Sequence, residues 1–349
     1  MTDRRRTDPL GEQYDVVVVG AGIAGLSGAL VLARARRSVL VIDAGEPRNA
    51  PAAHSQGFVT RDGTPPGELL RLGRSEVQGY GAQLRPGRAV SARSLPDGGF
   101  AVRLDDGNTV LARRLLVTTG VVDELPAVAG LRERWGRDVL HCPYCHGWEV
   151  RDQAVAVLAT AARSVHQALL FGQWTGDVTL FLHTGPQPTD EQWEQLAARG
   201  VKVVDGEVSA LEVTDDRITG VRLASGRTLP AQVVVVGPQA SADDGVLTSL
   251  GLDFVEHPMG LGSQVPVGPA GRTAVPGVWA AGNVADVTAV LVASAAAGSA
   301  SAMAINGDLV AEDVARAVAE RAAAQAGELG ATPGATDARG HRKPMTVTR

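Results

Sequence analysis

Residues 14–25 read Tyr-Asp-Val-Val-Val-Val-Gly-Ala-Gly-Ile-Ala-Gly, and this stretch decides the fold class. Its first half is a short, nearly all-apolar run, which is typical of a parallel strand buried on both faces. The Gly-x-Gly-x-x-Gly spacing then opens a stretch of helical periodicity over about 23–36, and a second strand follows at 38–42. A strand, a glycine turn, a helix and a strand in this order predict a dinucleotide-binding βαβ unit.

The glycines of this turn have separate tasks. Gly20 permits the tight turn, Gly22 lets backbone N–H groups approach a pyrophosphate, and Gly25 allows close packing of helix on strand. The helix N-terminus adds positive potential for the phosphates. Asp43, about 20 residues on, is placed to accept hydrogen bonds from ribose hydroxyls. The alternative interpretation is a glycine-rich turn without a ligand.

A second βαβ unit is predicted farther along the chain. It consists of a strand over 153–158, a helix over 164–173 and a strand over 177–182. The pattern of the first unit then resumes at 275–284, before a long alanine-rich helix. A βαβ pattern that is interrupted and resumed predicts one dinucleotide domain with another inserted into it.

We therefore predict an α/β protein with two Rossmann-like dinucleotide-binding domains of three layers (ββα), one inserted in the other. The expected boundaries are 14–120 with 240–322 for a discontinuous dinucleotide-binding domain, 121–239 for the inserted domain, and 1–13 with 323–349 for flexible tails. The family resemblance described below implies that the discontinuous domain binds FAD and that the insert is NAD(P)-binding-like.

The first two glycines of the first unit are missing from the second. Superposing the two patterns puts Ala159, Ala161 and Ser164 at the three glycine positions. The Ala161 methyl stands where a pyrophosphate needs the closest backbone approach, and a positive φ at Ala159 would cost roughly 1 kcal/mol. The segment 183–189 has no arginine cluster for a 2′-phosphate. The second unit is thus expected to be a nucleotide fold with a decayed site, which makes NADPH a doubtful cofactor.

Composition excludes other classes of function. A net charge of −5 and 4% aromatic residues indicate neither a nucleic-acid surface nor a base-stacking platform. No uninterrupted apolar stretch reaches the roughly 18 residues of a membrane span. The N-terminal segment has no export signal, so we expect a cytoplasmic protein.

Cys142 and Cys145 are the only two cysteines of the 349 residues, and they form a Cys-x-x-Cys motif between the two units. A paired dithiol passes two electrons by thiolate attack on sulfur. Because no export signal is present, a catalytic disulfide is expected rather than a structural one.

Three other interpretations of the motif remain open. Cys142-x-x-Cys145-His146 also spells the attachment pattern of c-type haem, although that normally requires export. His141, Cys142, Cys145 and His146 together offer zinc-ligand chemistry, but adjacent residues rarely point at one ion, and we expect no metal. A flavoprotein that only binds a partner is the third alternative, against which the intact motif argues.

Taken in order, the glycine fingerprint, the Leu-Leu-Val-Thr-Thr-Gly segment 115–120, the Cys-x-x-Cys motif and Trp-Ala-Ala-Gly-Asn at 279–283 resemble the low-molecular-weight thioredoxin reductase family over about 14–320. The resemblance implies FAD in the outer domain, NADPH in the inserted one, a redox-active Cys-x-x-Cys and a homodimer. The cofactor-binding residues that it implies are Gly20, Gly22, Ile23, Ala24, Gly25, Asp43, Arg48, Asn49, His54, Thr119, Gly120, Gly282, Asn283, Val290 and Leu291.

One branch of the family is more similar than the rest. The segment His141-Cys-Pro-Tyr-Cys-His-Gly-Trp-Glu149 resembles that of the dithiol oxidases which close disulfides in holomycin-, gliotoxin- and romidepsin-type products. Reductases usually carry an acidic residue where this chain has His146, and Asp where it has Asn283. Val290 and Leu291 also depart from the polar residues that the family often places near the flavin.

The resemblance implies that Cys145 lies against the flavin and that Cys142 faces the substrate. His146 and His141 are placed to move protons, because histidine titrates near neutral pH, and Glu149 is placed to orient a histidine. We expect FAD-dependent oxidation of a small-molecule dithiol with O2 as acceptor. The alternative is a reductase that takes electrons from NADPH or another donor, such as ferredoxin, and reduces a small disulfide or a thioredoxin-like protein.

Overall fold

The structure is a computed structural model that describes residues 12–242 and 245–330. The predicted tail segments 1–11 and 331–349 lie outside the described residues. The chain divides between Ile305 and Asn306 into two compact units. Within the described residues, the second unit consists of the C-terminal part of the last helix.

The chain contains both β-strands and α-helices, with short 3₁₀ turns at Arg132–Arg134 and Pro269–Gly271. The strands are β1 Gln13–Val19, β2 Val39–Asp43, β3 Gln83–Pro86, β4 Ala89–Ser94, β5 Phe100–Leu104, β6 Thr109–Val117, β7 Val122–Glu124, β8 Val139–Leu140, β9 Val155–Leu158, β10 Val178–Phe181, β11 Lys202–Val204, β12 Val208–Thr214, β13 Arg217–Leu223, β14 Thr228–Pro230, β15 Val233–Val236, β16 Gln239–Ser241, β17 Val255–Glu256, β18 Ser263–Gln264 and β19 Val278–Ala280. The helices are α1 Ile23–Arg34, α2 Pro66–Gly79, α3 Pro143–His146, α4 Arg163–Phe171, α5 Asp190–Ala198, α6 Gly245–Ser249 and α7 Leu291–Gly330.

The first sheet has seven strands in the order β3-β2-β1-β6-β5-β4, with β19 also paired to β6. Its β1, β2, β3, β6 and β19 are parallel, whereas β4 and β5 extend it as an antiparallel meander. Strand β6 pairs with β5 through its first half and with β19 through its second half. The last strand of this sheet therefore comes from a distant part of the chain.

The second sheet has five parallel strands in the order β11-β10-β9-β15-β8. Residues of α4 and α5 pack with one set of its apolar side chains, including Val157 and Leu180. The antiparallel strands β12–β14 pack with the other set, including Leu158 and Phe181. This arrangement of two sheets confirms the predicted fold class of two Rossmann-like, three-layer domains. The residue boundaries of the two domains stay a prediction.

The sequence of the first βαβ unit explains its close packing. Val16, Val17 and Val18 of β1 are fully buried between β2 and β6, as their uninterrupted apolar run requires. Helix α1 crosses α7 at two glycines. A Cβ at Gly28 would lie 3.1 Å from the carbonyl oxygen of Gly298, so the helix backbones touch directly.

Helix α2 and the end of helix α7 differ from the sequence-based expectation. Helix α2 was not predicted, although Pro66 in its first turn and the buried Leu69, Leu70 and Val77 provide a signal. Helix α7 continues through 323–330, where a tail was predicted. Alanine, glutamine and glutamate have high helix propensity there and keep the helix intact without an apolar stripe. Within the described ranges, no helix has the length and apolar character needed to cross a bilayer.

Candidate active site

Cys142 and Cys145 are joined by a disulfide at the carboxyl end of β8, which is an edge strand of the second sheet. Both residues are half-buried. Cys142 is the N-cap of α3, and Pro143 occupies the first helical position, where its missing N–H costs no hydrogen bond. The motif thus sits on a strand-to-helix turn that presents one sulfur at the start of a helix.

The backbone supports negative charge on Cys142. The N–H of Cys145 donates to the Cys142 Sγ over 3.2 Å. When the disulfide is reduced, this donor favours the thiolate form of Cys142 and thereby its reactivity as a nucleophile or leaving group.

His141 precedes the motif and carries little charge at neutral pH. Its ring stacks on Trp135 with centroids 5.4 Å apart, and its carbonyl oxygen accepts from Gln167 Nε2 at 2.8 Å. Burial and, to a smaller extent, the nearby charge of Arg48 lower the pKa of His141 to about 4, although Asp123 opposes this shift. The neutral ring can accept a proton but holds none in reserve as an acid.

His146 is the last residue of α3, and burial lowers its pKa while the charge of Glu149 partly opposes the shift. Glu149 also accepts from Gln56 Nε2 at 2.9 Å. Gln56 belongs to the surface loop that contains His54, which is itself exposed. The role of Glu149 in orienting His146 stays a prediction.

Arg48, predicted to hold a cofactor, forms a bidentate ion pair within the protein. Its Nε and Nη2 donate to Asp123 at 2.8 and 2.6 Å, and the Asp123 side chain is only 7% exposed. Its Nη1 also donates to the carbonyl oxygen of Val287 at 3.5 Å. Asp123 is a site residue that sequence reasoning missed, because a single aspartate in a three-residue strand has no distinguishing pattern.

The first glycine turn has the geometry of a phosphate cradle. Gly20 has φ +100°, and a Cβ there would lie 2.5 Å from the carbonyl oxygen of Thr118. Thr118 Oγ1 donates to the carbonyl oxygens of Val19 and Gly20 at 3.0 and 2.9 Å and so holds the turn. Thr118 was missed in favour of the exposed Thr119 beside it, which is followed by Gly120 at φ +76°.

The space in front of this turn suits a dinucleotide. Gly22 is the N-cap of α1, no side chain caps the helix, and nothing lies within 4 Å of a Cβ built on Gly22. The N–H groups of Ile23 and Ala24 belong to this uncapped first turn and favour an anion. A Cβ at Gly282, φ +77°, would lie 3.0 Å from the Cβ of Ala24, which brings the loop after β19 to the same place. These residues fit the pyrophosphate of FAD.

Other predicted cofactor residues have partners inside the protein. Asp43 pairs with Arg74 of α2 at 2.7 Å and accepts from the N–H of Gly45 at 2.9 Å. Asn283 Nδ2 donates to carbonyl oxygens of the loop 286–289, with 2.9 Å to that of Ala289. Three further predicted residues lie around these segments: Asn49 is half-buried in the loop after β2, Val290 is exposed before α7, and Leu291 is half-buried at the start of α7.

The second turn is closed by its own side chains. The N–H of Thr160 donates to Ser164 Oγ at 3.3 Å, and Thr160 Oγ1 donates to the carbonyl oxygen of Gly237 at 3.5 Å. Ala159 is not among the residues with positive φ, so the strain considered for it does not arise. Gly185 packs against it, since a Cβ on Gly185 would lie 2.9 Å from that of Ala159. This turn fits a pyridine nucleotide poorly.

Comparisons with known proteins agree with this geometry. The family model for pyridine nucleotide-disulphide oxidoreductases matches residues 14–302. The chain is 30% identical over 288 residues to thioredoxin reductase sirT of Leptosphaeria maculans, covering 78% of this chain and 87% of that protein. The crystal structure of HlmI superposes with a TM-score of 0.83 at 50% identity and covers 89% of this chain and 96% of that one. The oxidoreductase from Agrobacterium tumefaciens superposes with a TM-score of 0.80 at 35% identity, covering 85% and 99% of the two chains.

Proposed function

Because this chain belongs to the pyridine nucleotide-disulphide oxidoreductase family, we propose that it oxidises a small-molecule dithiol to a disulfide through Cys142 and Cys145, with O2 as final acceptor. One observation carries the proposal: the protein that contains the disulfide has open space at its first dinucleotide turn, whereas side-chain hydrogen bonds of Thr160 and Ser164 close its second turn. The resemblance of His141–Glu149 to natural-product dithiol oxidases supports the choice of substrate class.

The exchange steps use both cysteines. A substrate thiolate attacks Cys142 Sγ, the Cys142–Cys145 bond breaks, and Cys145 leaves as a thiolate. The second substrate thiolate then attacks the substrate sulfur of the mixed disulfide, which closes the product ring and releases Cys142 as a thiolate. The substrate loses two electrons and two protons, and the enzyme dithiol gains the electrons.

The residues around the motif assist these steps. The Cys145 N–H stabilises the Cys142 thiolate when it leaves. His146, whose lowered pKa favours the neutral ring, accepts a substrate proton, and the charge of Glu149 favours the protonated ring that results. His141 packs on Trp135 as a neutral ring beside the motif.

FAD supplies the two-electron acceptor through which the enzyme dithiol is reoxidised, so that the overall reaction consumes a dithiol and O2 and yields a disulfide and hydrogen peroxide. Gly20, Gly22, Gly25 and the first turn of α1 would hold its pyrophosphate. The discontinuous domain 14–120 with 240–322 is proposed as its binding domain. A cytoplasmic location and a homodimer complete the proposal and rest on the sequence features and the family resemblance.

Cys142→Ser tests the function. The variant should retain bound flavin and lose dithiol-dependent O2 consumption, because serine cannot form the mixed disulfide. Oxygen uptake with dithiothreitol as the probe, together with the flavin-to-protein ratio, measures both properties. Ser225→Ala, an exposed change on the β13–β14 turn, is the control. Undiminished O2 consumption by Cys142→Ser would refute the mechanism.

A protein disulfide is the second candidate substrate. Tyr144 and Trp148, next to the two cysteines, are 72% and 65% exposed. Large apolar side chains on an open surface are typical of a docking site for a protein such as thioredoxin. Reduction of a thioredoxin by the pre-reduced enzyme, faster than exchange with small dithiols, would favour this candidate.

A further inference from the structure

Few segments of the chain connect the first sheet with the second. The proposed reaction requires these two sheets to be held together. The chain passes from the first sheet toward the second through β7 and returns through β16, and these strands form a two-stranded antiparallel ribbon. Asp123 pairs with Ala240 in this ribbon. A narrow ribbon of this kind bends easily, so other contacts must hold the second sheet in position.

The hairpin of β17 and β18 packs on this ribbon. The N–H of Ala240 donates to the carbonyl oxygen of Leu261 at 3.0 Å. Gly262 lies so close that a Cβ there would be 1.8 Å from the carbonyl oxygen of Ala240. Val121, Ala240 and Val287 form a small buried cluster beside the contact. The hairpin tip therefore lies at the junction of the two sheets.

Arg163 connects this junction to the second sheet. It is the first residue of α4, which follows β9. Its Nη1 donates to the carbonyl oxygen of Gly260 at the hairpin tip over 2.6 Å. Its Nη2 donates to the carbonyl oxygens of Gly237 and Pro238, where the chain enters β16, over 3.3 and 3.2 Å. One guanidinium thus joins three segments.

The partners of Arg163 are all backbone atoms. Among the described residues none of its partners is a carboxylate, and burial lowers its pKa. A charge that is partly removed from water without a counter-ion is retained where its several donors match fixed acceptors. Lysine has one nitrogen and cannot reproduce the spread of these three acceptors.

We propose that Arg163 is a positioning residue that fixes the Cys142–Cys145 sheet against the first sheet, so that electrons pass efficiently from the enzyme dithiol to the cofactor. The expected effect of Arg163 on the reaction rate rests on the proposed function, whereas its expected effect on the junction does not. Arg163 is the first residue of the helix that follows the second nucleotide turn. In this chain, the residue at that position binds the junction instead of a ligand.

Arg163→Ala and Arg163→Lys test the proposal, with Arg227→Ala as the matched control. Arg227 is an exposed arginine on the β13–β14 turn of the same insert. The structural readout is amide hydrogen exchange at β7, β16 and the 257–262 tip in the flavin-loaded protein without substrate. The kinetic readout is the rate at which dithiothreitol bleaches the flavin absorbance without oxygen, measured against dithiothreitol concentration.

Arg163→Ala should raise hydrogen exchange at the Ala240 amide about tenfold or more, because the variant lacks the Arg163 contacts that oppose local opening of the ribbon. Its limiting bleaching rate should fall by about tenfold while the half-saturating dithiothreitol concentration and the flavin content stay unchanged. Arg163→Lys should recover part of both losses, and Arg227→Ala should match the wild type.

Wild-type exchange at the ribbon in Arg163→Ala would overturn the positioning role, whatever the kinetics. A rate loss accompanied by a changed half-saturation or by lost flavin would also contradict it. If dithiothreitol fails to bleach the wild-type enzyme, the proposed function fails, while the exchange comparison still decides whether Arg163 fixes the junction.

Discussion

The residue with the most perturbed environment near the motif is His141. Its ring is neutral at neutral pH because burial disfavours the charged form and the Arg48 guanidinium repels it. His146 differs because the Glu149 carboxylate opposes the effect of burial. Two histidines that flank one motif therefore have different environments, which supports the proposed proton-accepting role of His146.

Acid should destabilise the protein through His141. The unfolded chain takes up a proton near pH 6.5, whereas the folded one does so near pH 4, so the unfolded state binds more protons between these values. Stability contributed by the neutral ring is complete above about pH 6.5 and falls by up to about 3 kcal/mol as the pH drops toward 4. His141→Gln, which has no titrating ring, should lose this part of the pH dependence.

Urea unfolding of the apoprotein at several pH values between 4 and 7.5 measures the effect. The difference in free energy of unfolding between wild type and His141→Gln should shrink as the pH falls. His166→Gln, at an exposed histidine of α4, is the matched control. A difference that stays constant across the range would contradict the buried, neutral state of His141.

Individual residues could be predicted where one short segment carries the signal. Gly20, Gly22 and Gly25 follow from their spacing, and the cysteine pair from its isolation in the sequence. The partners of charged residues could not be predicted, because they are far apart in the chain. Arg74 binds Asp43 from 31 residues away, Arg48 binds Asp123 from 75, and Arg163 reaches Gly260 from 97. These contacts exist only once the sheets have formed.

At the scale of the element, the turn between β1 and α1 contains one glycine that the fold requires and another that only a ligand would require. Gly20 needs its positive φ and its contact with Thr118, so it serves the fold. Gly22 has φ −68° and open space where a Cβ would be, so the apoprotein itself does not require glycine there. A requirement for glycine at Gly22 would come from a ligand.

Gly22→Ala should therefore lower flavin content while leaving the apoprotein nearly as stable as the wild type, within about 0.5 kcal/mol. Gly20→Ala is the comparison, and it should destabilise the apoprotein by roughly 1–3 kcal/mol because of its φ and the 2.5 Å approach to Thr118. Flavin-to-protein ratios and urea unfolding of both apoproteins measure these effects. Full flavin content in Gly22→Ala would show that the pyrophosphate does not approach this turn.

A buried arginine ties the 3₁₀ turn 132–134 to the hairpin of β12 and β13. Arg134 is 7% exposed at its side chain and binds Asp138 and Asp216. Arg137 also binds Asp216 but is 48% exposed. Removing a buried partner leaves charge without compensation, whereas an exposed pair contributes little.

Arg134→Ala should lower the free energy of unfolding by about 3 kcal/mol, and Arg137→Ala by less than about 1 kcal/mol. Urea unfolding of the two variants measures the difference. The account would be contradicted by equal losses, since the two arginines share Asp216 and differ in burial. The dithiol reaction should survive both changes.

Elements were predicted well where burial and periodicity agree. Strands β1 and β10 match their predicted bounds to within one residue. Helix α2 was overlooked because its sequence has few apolar positions. Burial of these positions against neighbouring elements is enough to stabilise the helix. The length of α7 was underestimated because local propensity continues after its apolar pattern ends.

For the whole molecule, the contrast between the two nucleotide turns is the main finding. The first has open space in front of Gly22, whereas the second contains the hydrogen bonds of Thr160 and the close approach of Gly185 to Ala159. The sequence predicted this difference from two missing glycines. It did not predict the contacts by which Arg163, at the end of the second turn, binds the junction.

One measurement tests the central claim that electrons enter from a dithiol and not from a pyridine nucleotide. The flavin-loaded protein is mixed anaerobically with NADPH or with dithiothreitol while the flavin absorbance is followed. The account predicts no bleaching with micromolar NADPH, bleaching with dithiothreitol, and recovery of absorbance when air is admitted. Rapid bleaching by micromolar NADPH would contradict it and would establish a reductase.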